Sequence, residues 1–210
     1  MKFQVLLLAF VMIFGMSFAD IISCGDVGAG SHTLDTNLTG YVSPSIQHCL
    51  RITSPNVTID CQGRTITGNG TYQGIYLLAS YTNVTIKNCF VRNYANGIFS
   101  NSTSFLANSL ITNNNFTNNS AWDISISDLT SSNITNNHGN TGFLLNRYMG
   151  GARTSLISNN TIEPGGSSNC KGIQLETALG SPSNNVILGN TVNGVNANTA
   201  AYYVTSDGNL

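Results

Sequence analysis

The chain has 210 residues and a formal net charge of −1, and 8% of its residues are charged against roughly 25% in ordinary soluble domains. No basic stripe exists to neutralise phosphates, which excludes a nucleic-acid partner. Helical periodicity is missing after the first residues, and Gly, Asn, Ser and Thr are too frequent for long helices, which excludes an α-helical domain.

Residues 1–19 read as a secretory signal peptide. Lys2 supplies a positive start, Val5 to Phe18 is apolar, and Ser17-Phe18-Ala19 is a small-x-small cleavage site before Asp20. The apolar run is shorter than the roughly 20 residues that span a bilayer, so no membrane span is expected after its removal. A competing reading takes Ile21-Ile22-Ser23-Cys24 as a loose lipobox, with a lipid on Cys24.

Residues 20–55 are expected to form an N-terminal cap and a lead-in to the first coil. Cys24 and Cys49 flank this segment, and a bridge between them would close it. Cys61 and Cys89 occupy related places in the next two coils and are either bridged or simply stacked, which leaves Cys170 over. Five cysteines suit an exported protein, secreted or at the cell surface. No Cys-x-x-Cys spacing or Cys/His cluster suggests a metal, and neither metal nor cofactor is expected.

Residues 56–210 repeat one pattern. A polar, Asn-rich hexad carries one apolar residue at its fourth position: NCFVRN ending at Asn93, NNNFTN at Asn118, SSNITN at Asn136, NNTIEP at Pro164 and GNTVNG at Gly194, with a looser copy around Ile66. Each is followed by a short strand: GIYL from Gly74, GIFS from Gly97, DISI from Asp123, GFLL from Gly142, GIQL from Gly172 and AYYV from Ala201. Successive strands lie 19 to 30 residues apart, the period of a solenoid, and apolar residues within them alternate at period two. The consistent solution is an all-β, right-handed, single-stranded parallel β-helix of about six coils.

In such a helix Ile75, Ile98, Ile124, Phe143, Ile173 and Tyr202 form one inward stack, and Leu77, Ser100, Ile126, Leu145, Leu175 and Val204 a second. The hexads supply Ile66, Val91, Phe116, Ile134, Ile162 and Val192 from a neighbouring face. Asn tolerates left-handed backbone and bonds nearby backbone through its side chain, so the asparagines read as turn and ladder residues, and Gly74, Gly97, Gly142 and Gly172 as bends. Nothing caps the helix before Gly208-Asn209-Leu210. A C-terminal truncation, with a further domain missing, is therefore expected.

The segments NVTIDCQGRTITG, NGTYQGIYL and NVTIKNCFVRNYANGIF, with their later copies, resemble the PbH1 repeats of right-handed parallel β-helix proteins, the NosD-like and carbohydrate-binding/sugar-hydrolase (CASH) group with its pectin lyase fold. The resemblance covers roughly residues 50–205 and is similar in detail to exported surface proteins. It implies a fold and leaves activity open, because the matched residues are core and turn residues.

Lyases and hydrolases of this fold need clustered carboxylates or an arginine base. Asp123 and Asp128 fall near one strand and are the best catalytic candidates, and Asp60 could approach Arg64 or Lys87. Turn capping and ion pairing are the competing roles. The copper-associated role attached to the NosD name calls for Met or His clusters, whereas His32, His48 and His138 are scattered and Met149 is the only methionine after the leader. Outward aromatics Tyr76 and Phe99 on adjacent coils could stack on sugar rings. Asn-x-Ser/Thr triplets at Asn37, Asn56, Asn69, Asn83, Asn101, Asn115, Asn118, Asn133 and Asn159 are glycosylation candidates. The reading that follows is an exported, non-catalytic structural or adhesive surface module whose partner is a polysaccharide or cell-surface glycan. A polysaccharide lyase or glycoside hydrolase is the alternative.

Overall fold

A computed structural model describes residues 19–40, 47–145, 154–163, 172–175, 184–193 and 202–204. Residues 1–18 of the expected signal peptide, Met149, Cys170 and the last residues lie outside them. Among the described residues all regular structure is β-strand, and every strand pairing is parallel. No helix among them is long and apolar enough to cross a membrane. The chain is a right-handed parallel β-helix. It winds from a first sheet to a second and a third, with a short fourth before it returns.

The first sheet has eight strands, from Ala19–Ile21 through Val57–Asp60, Thr85–Lys87, Leu110–Thr112, Asn133–Thr135 and Leu156–Ser158 to Val186–Leu188. The second has seven, including Thr65–Thr67, Phe90–Arg92, Asn115–Thr117 and His138–Gly139. The third has eight, with Gly25–Val27 and His48–Ile52 ahead of the six strands that begin near Gly74, Gly97, Asp123, Gly142, Gly172 and Ala201. Segment 20–55, read from sequence as cap and lead-in, therefore carries strands that pair in the same sheets as the later coils.

On the third sheet Ile75, Ile98, Ile124, Phe143 and Ile173 are consecutive partners and fully buried. Each contributes about 1.5–3 kcal/mol by leaving water. On the second sheet Ile66, Val91 and Phe116 stack as expected, but Ile134 does not join them. It belongs to the first sheet, between Ile111 and Ile157. Gly139 takes the place below Phe116, because the turn at Asn136 and Asn137 delivers His138–Gly139 to the second sheet.

The corners explain the asparagines. Asn88, Asn113, Asn136 and Asn159 leave the first sheet with φ of 54° to 57°, and Asn93 and Asn118 leave the second with φ of 58° and 55°. Asn reaches this left-handed region at less cost than other side chains. Gly74 and Gly97, expected as bends, instead make room. A Cβ on Gly97 would lie 2.5 Å from the Asp123 carbonyl oxygen and 2.6 Å from the Phe116 ring.

Candidate functional site

Asp123 follows Gly74 and Gly97 in the same inward row, so its carboxylate points into the core and is 0% exposed. The following coil supplies the reason. Gly139 and Phe143, inward neighbours on the second and third sheets, are only four residues apart, where Phe116 and Ile124 are eight apart. This tight corner turns three consecutive N–H groups inward, and those of Asn140, Thr141 and Gly142 donate to Asp123 Oδ2 at 2.8, 2.7 and 3.0 Å. Asn119 Nδ2 donates to Oδ1 at 3.0 Å, while Asn119 Oδ1 accepts the Tyr94 N–H. Burial pushes the Asp123 carboxyl up, and these donors oppose the shift. A Cβ at position 139 would stand 2.6 Å from Asp123 Oδ2, which is why that residue is glycine.

The catalytic reading of Asp123 is thereby corrected. A sealed carboxylate with both oxygens engaged serves the backbone and does not meet a polysaccharide. Asp128 lies beyond the strand end, half-buried, with its carbonyl accepting the Leu106 N–H, so the two acids are not presented to one surface. Asp60 takes the bland role. Its carboxylate accepts from Gln62 N–H and Asn88 Nδ2 and pairs with Lys87 Nζ at 3.2 Å. Burial would raise its pKa, but these partners outweigh burial and hold it below the usual carboxylate range.

The outward face of the third sheet is more open. Strands His48–Ile52, Gln73–Leu77, Asn96–Ser100 and Trp122–Ile126 share one pattern, half-buried at their first and fourth residues. Two parallel columns result: His48, Gln73, Asn96 and Trp122 in one, Arg51, Tyr76, Phe99 and Ser125 in the other. Tyr76 and Phe99 stack with centroids 6.0 Å apart, and His48 leans on Tyr76 at 5.7 Å. Tyr76 thus has a ring on each side, while beyond Phe99 the column continues with the small Ser125. Arg51 donates a two-pronged bond to Asp26, with Nε to Oδ1 at 2.7 Å, and this holds the Asp26 carboxyl below its usual range. Burial lowers the His48 pKa, which favours its neutral ring. Further along, outward Leu144 and Gln174 are 4% and 9% exposed, so the open stretch ends there.

The family model described as periplasmic copper-binding protein (NosD) matches residues 45–148. These residues form a NosD-like β-helix. No curated protein and no solved structure matches the chain. The matched span contains the whole two-column face, and the family's periplasmic description supports an exported protein.

The donor set of this NosD-like helix, among the described residues, does not fit copper. Among the described residues no three His, Cys, Asp or Glu side chains come together. Cys24 is joined to Cys49 and Cys61 to Cys89, which removes their thiolates as ligands. His32 bonds the Gly28 carbonyl, His48 lies on Tyr76, and His138 faces Glu163 at 3.9 Å. The disulfides are geometrically natural, because their Cα separations of 4.6 and 4.7 Å are close to the spacing of neighbouring parallel strands.

Of the triplet asparagines, Asn37, Asn56, Asn69, Asn83, Asn101, Asn118, Asn133 and Asn159 are exposed and Asn115 is half-buried. Several work in turns: Asn37 Oδ1 accepts the Thr65 N–H, and Asn83 donates to Asn56 at 2.9 Å. Sequence reasoning found Tyr76 and Phe99 but missed Trp122, Asn96, Gln73 and His48. For Gln73 and Asn96 the signal was present, since they stand three residues before outward Tyr76 and Phe99, and only the bend inside each strand hides it.

Proposed function

We propose that the chain is an exported, non-catalytic surface module that contacts carbohydrate through the outward face of its third sheet. The observation that carries this reading is the double column in which stacked Tyr76 and Phe99 run beside His48, Gln73, Asn96 and Trp122, with His48 leaning across onto Tyr76. Aromatic rings offer apolar faces to the C–H side of a sugar, and amides meet its hydroxyls in both donor and acceptor senses. The rigid sheet holds these groups at one spacing per coil of about 4.8 Å, so an extended glycan meets a preorganised array. Phe99, followed by small Ser125, is the expected stacking platform, with Asn96 and Trp122 beside it.

Binding of the purified chain to a glycan array, followed by calorimetry, tests the proposal. Phe99→Ala is expected to weaken binding about tenfold or more without unfolding the helix. No binding at millimolar oligosaccharide by a chain with an intact melting transition rejects it.

A further inference from the structure

We propose a second carbohydrate site at the corner between the first and second sheets, built from Phe90, Gln62, Asn113, Asn88 and Gly63. These five residues line one surface pocket, and none of them carries a charge. Lys87 and Asp60 beside the pocket form an ion pair. Such an uncharged lining matches a neutral sugar ring.

Phe90 supplies the apolar wall. It points outward from the second sheet and is 44% exposed, between Thr65 in the coil before and Asn115 in the coil after. A Cβ on Gly63 would come within 4.0 Å of the Phe90 ring, and φ of 75° at this residue selects glycine. The missing side chain keeps that part of the ring accessible. Asn113 and Gln62, both exposed and both in left-handed backbone, hold their side-chain amides without a hydrogen-bond partner in the protein. Asn88 spends one amide N–H on Asp60, which fixes the plane of its amide at the pocket edge. An aromatic ring beside free amide donors and acceptors is the chemistry that binds a pyranose.

The pocket is also rigid. Gln62 and Gly63 directly follow Cys61, and Asn88 and Phe90 flank Cys89, so the Cys61–Cys89 disulfide joins two of the three coils that form it. The bridge is buried, with its cysteines 0% and 1% exposed. Little ordering cost therefore remains for a ligand to meet. Together with the third-sheet face, this corner makes the module bivalent, able to hold two chains or two segments of one glycan.

The test is an amide-resolved NMR titration of the isotope-labelled full chain with chitotetraose, cellotetraose and mannotetraose, each to millimolar concentration. Gln62, Gly63 and Asn113 amides are expected to shift with at least one probe, and Phe90→Ala is expected to weaken that response about tenfold or more. Asn113→Gly, which keeps the left-handed corner, is expected to weaken it while the melting temperature stays unchanged. Shifts confined to Tyr76, Phe99 and their neighbours overturn this second site and leave the proposed function standing. Shifts confined to the corner support it and reject the third-sheet face. A response at the corner that survives Phe90→Ala also overturns it.

Discussion

Two stretches of the helix hold their coils together by different means. Upstream, Cys24–Cys49 and Cys61–Cys89 join neighbouring coils covalently across 25 and 28 residues. Downstream, buried side-chain ladders take over. Asn114, Asn137, Asn160 and Asn190 form one ladder, in which each backbone N–H and each Nδ2 donates to the next Oδ1 at 2.8–3.0 Å. Each Nδ2 also donates to an isoleucine carbonyl, from Ile86 to Ile157. A serine ladder runs beside it: Val84 N–H to Ser109 Oγ, Ser109 N–H to Ser132 Oγ, and Ser132 N–H to Ser155 Oγ. The two stretches meet at Cys89, whose N–H donates to Asn114 Oδ1 at 3.0 Å.

The difference teaches what a ladder requires. Asn114, Asn137 and Asn160 are 23 residues apart at each step, and the serine rungs 109, 132 and 155 keep the same interval. Equal steps place identical groups above one another, so each buried rung finds its partner in the next coil. The last asparagine step, from 160 to 190, is 30 residues, so a ladder requires the same group at the same corner rather than coils of equal length. Upstream, cysteines join neighbouring coils instead. Asp123 is the exception inside the ladder region, a single carboxylate that serves one short corner.

The largest expected effect breaks that exception. Asp123→Ala leaves the inward N–H groups of Asn140, Thr141 and Gly142 without their acceptor, and a loss of about 3–5 kcal/mol is expected from denaturant unfolding. Asp123→Asn is expected to lose less, because its amide oxygen can still accept from the corner although its NH2 then confronts Asn119 Nδ2. A change below about 1 kcal/mol for Asp123→Ala shows that the corner finds another acceptor.

Next comes the comparison itself. The double variant Cys61→Ser/Cys89→Ser is expected to cost about 2–4 kcal/mol. Asn137→Ala, which removes one rung, is expected to cost about 2–3 kcal/mol through the groups left buried and unpaired. Solenoid coils contact mainly their neighbours, so hydrogen exchange should locate the two losses differently, at residues 57–92 for the first and at residues 110–162 for the second. Uniform loss of protection in both variants contradicts the division into two stretches.

The smallest effect is acid sensitivity upstream. Asp26, through its hydrogen bond with Arg51, and Asp60, through partners that outweigh its burial, have folded pKa values below the ordinary carboxylate range. Their contribution is fully present above about pH 4 and is lost as pH falls through the lowered folded values. Melting temperature followed from pH 5 to about pH 2 should decline, and Asp60→Asn should flatten part of that decline, by at most about 1 kcal/mol. An unaltered slope in Asp60→Asn shows that its ion pair adds no pH-dependent stability.

Sequence by itself determined the solenoid, the inward rows of the third sheet and the left-handed asparagine corners, because period-two alternation and turn chemistry are local. Tertiary structure decided what those local rules leave open. Ile134 and Phe116 occupy the same place in their hexads, yet one faces the core from the first sheet and the other from the second. The interval that matters there was legible as Ser-x-Ile-x-Asn-Asn at 109, 132 and 155, but a shorter coil shifts which hexad meets which sheet. Asp123 reads as a surface acid until Gly139 and the corner after it are brought beneath it. Alternation says which side of a strand a residue takes. Only the stacking of coils of unequal length says what lies above and below it.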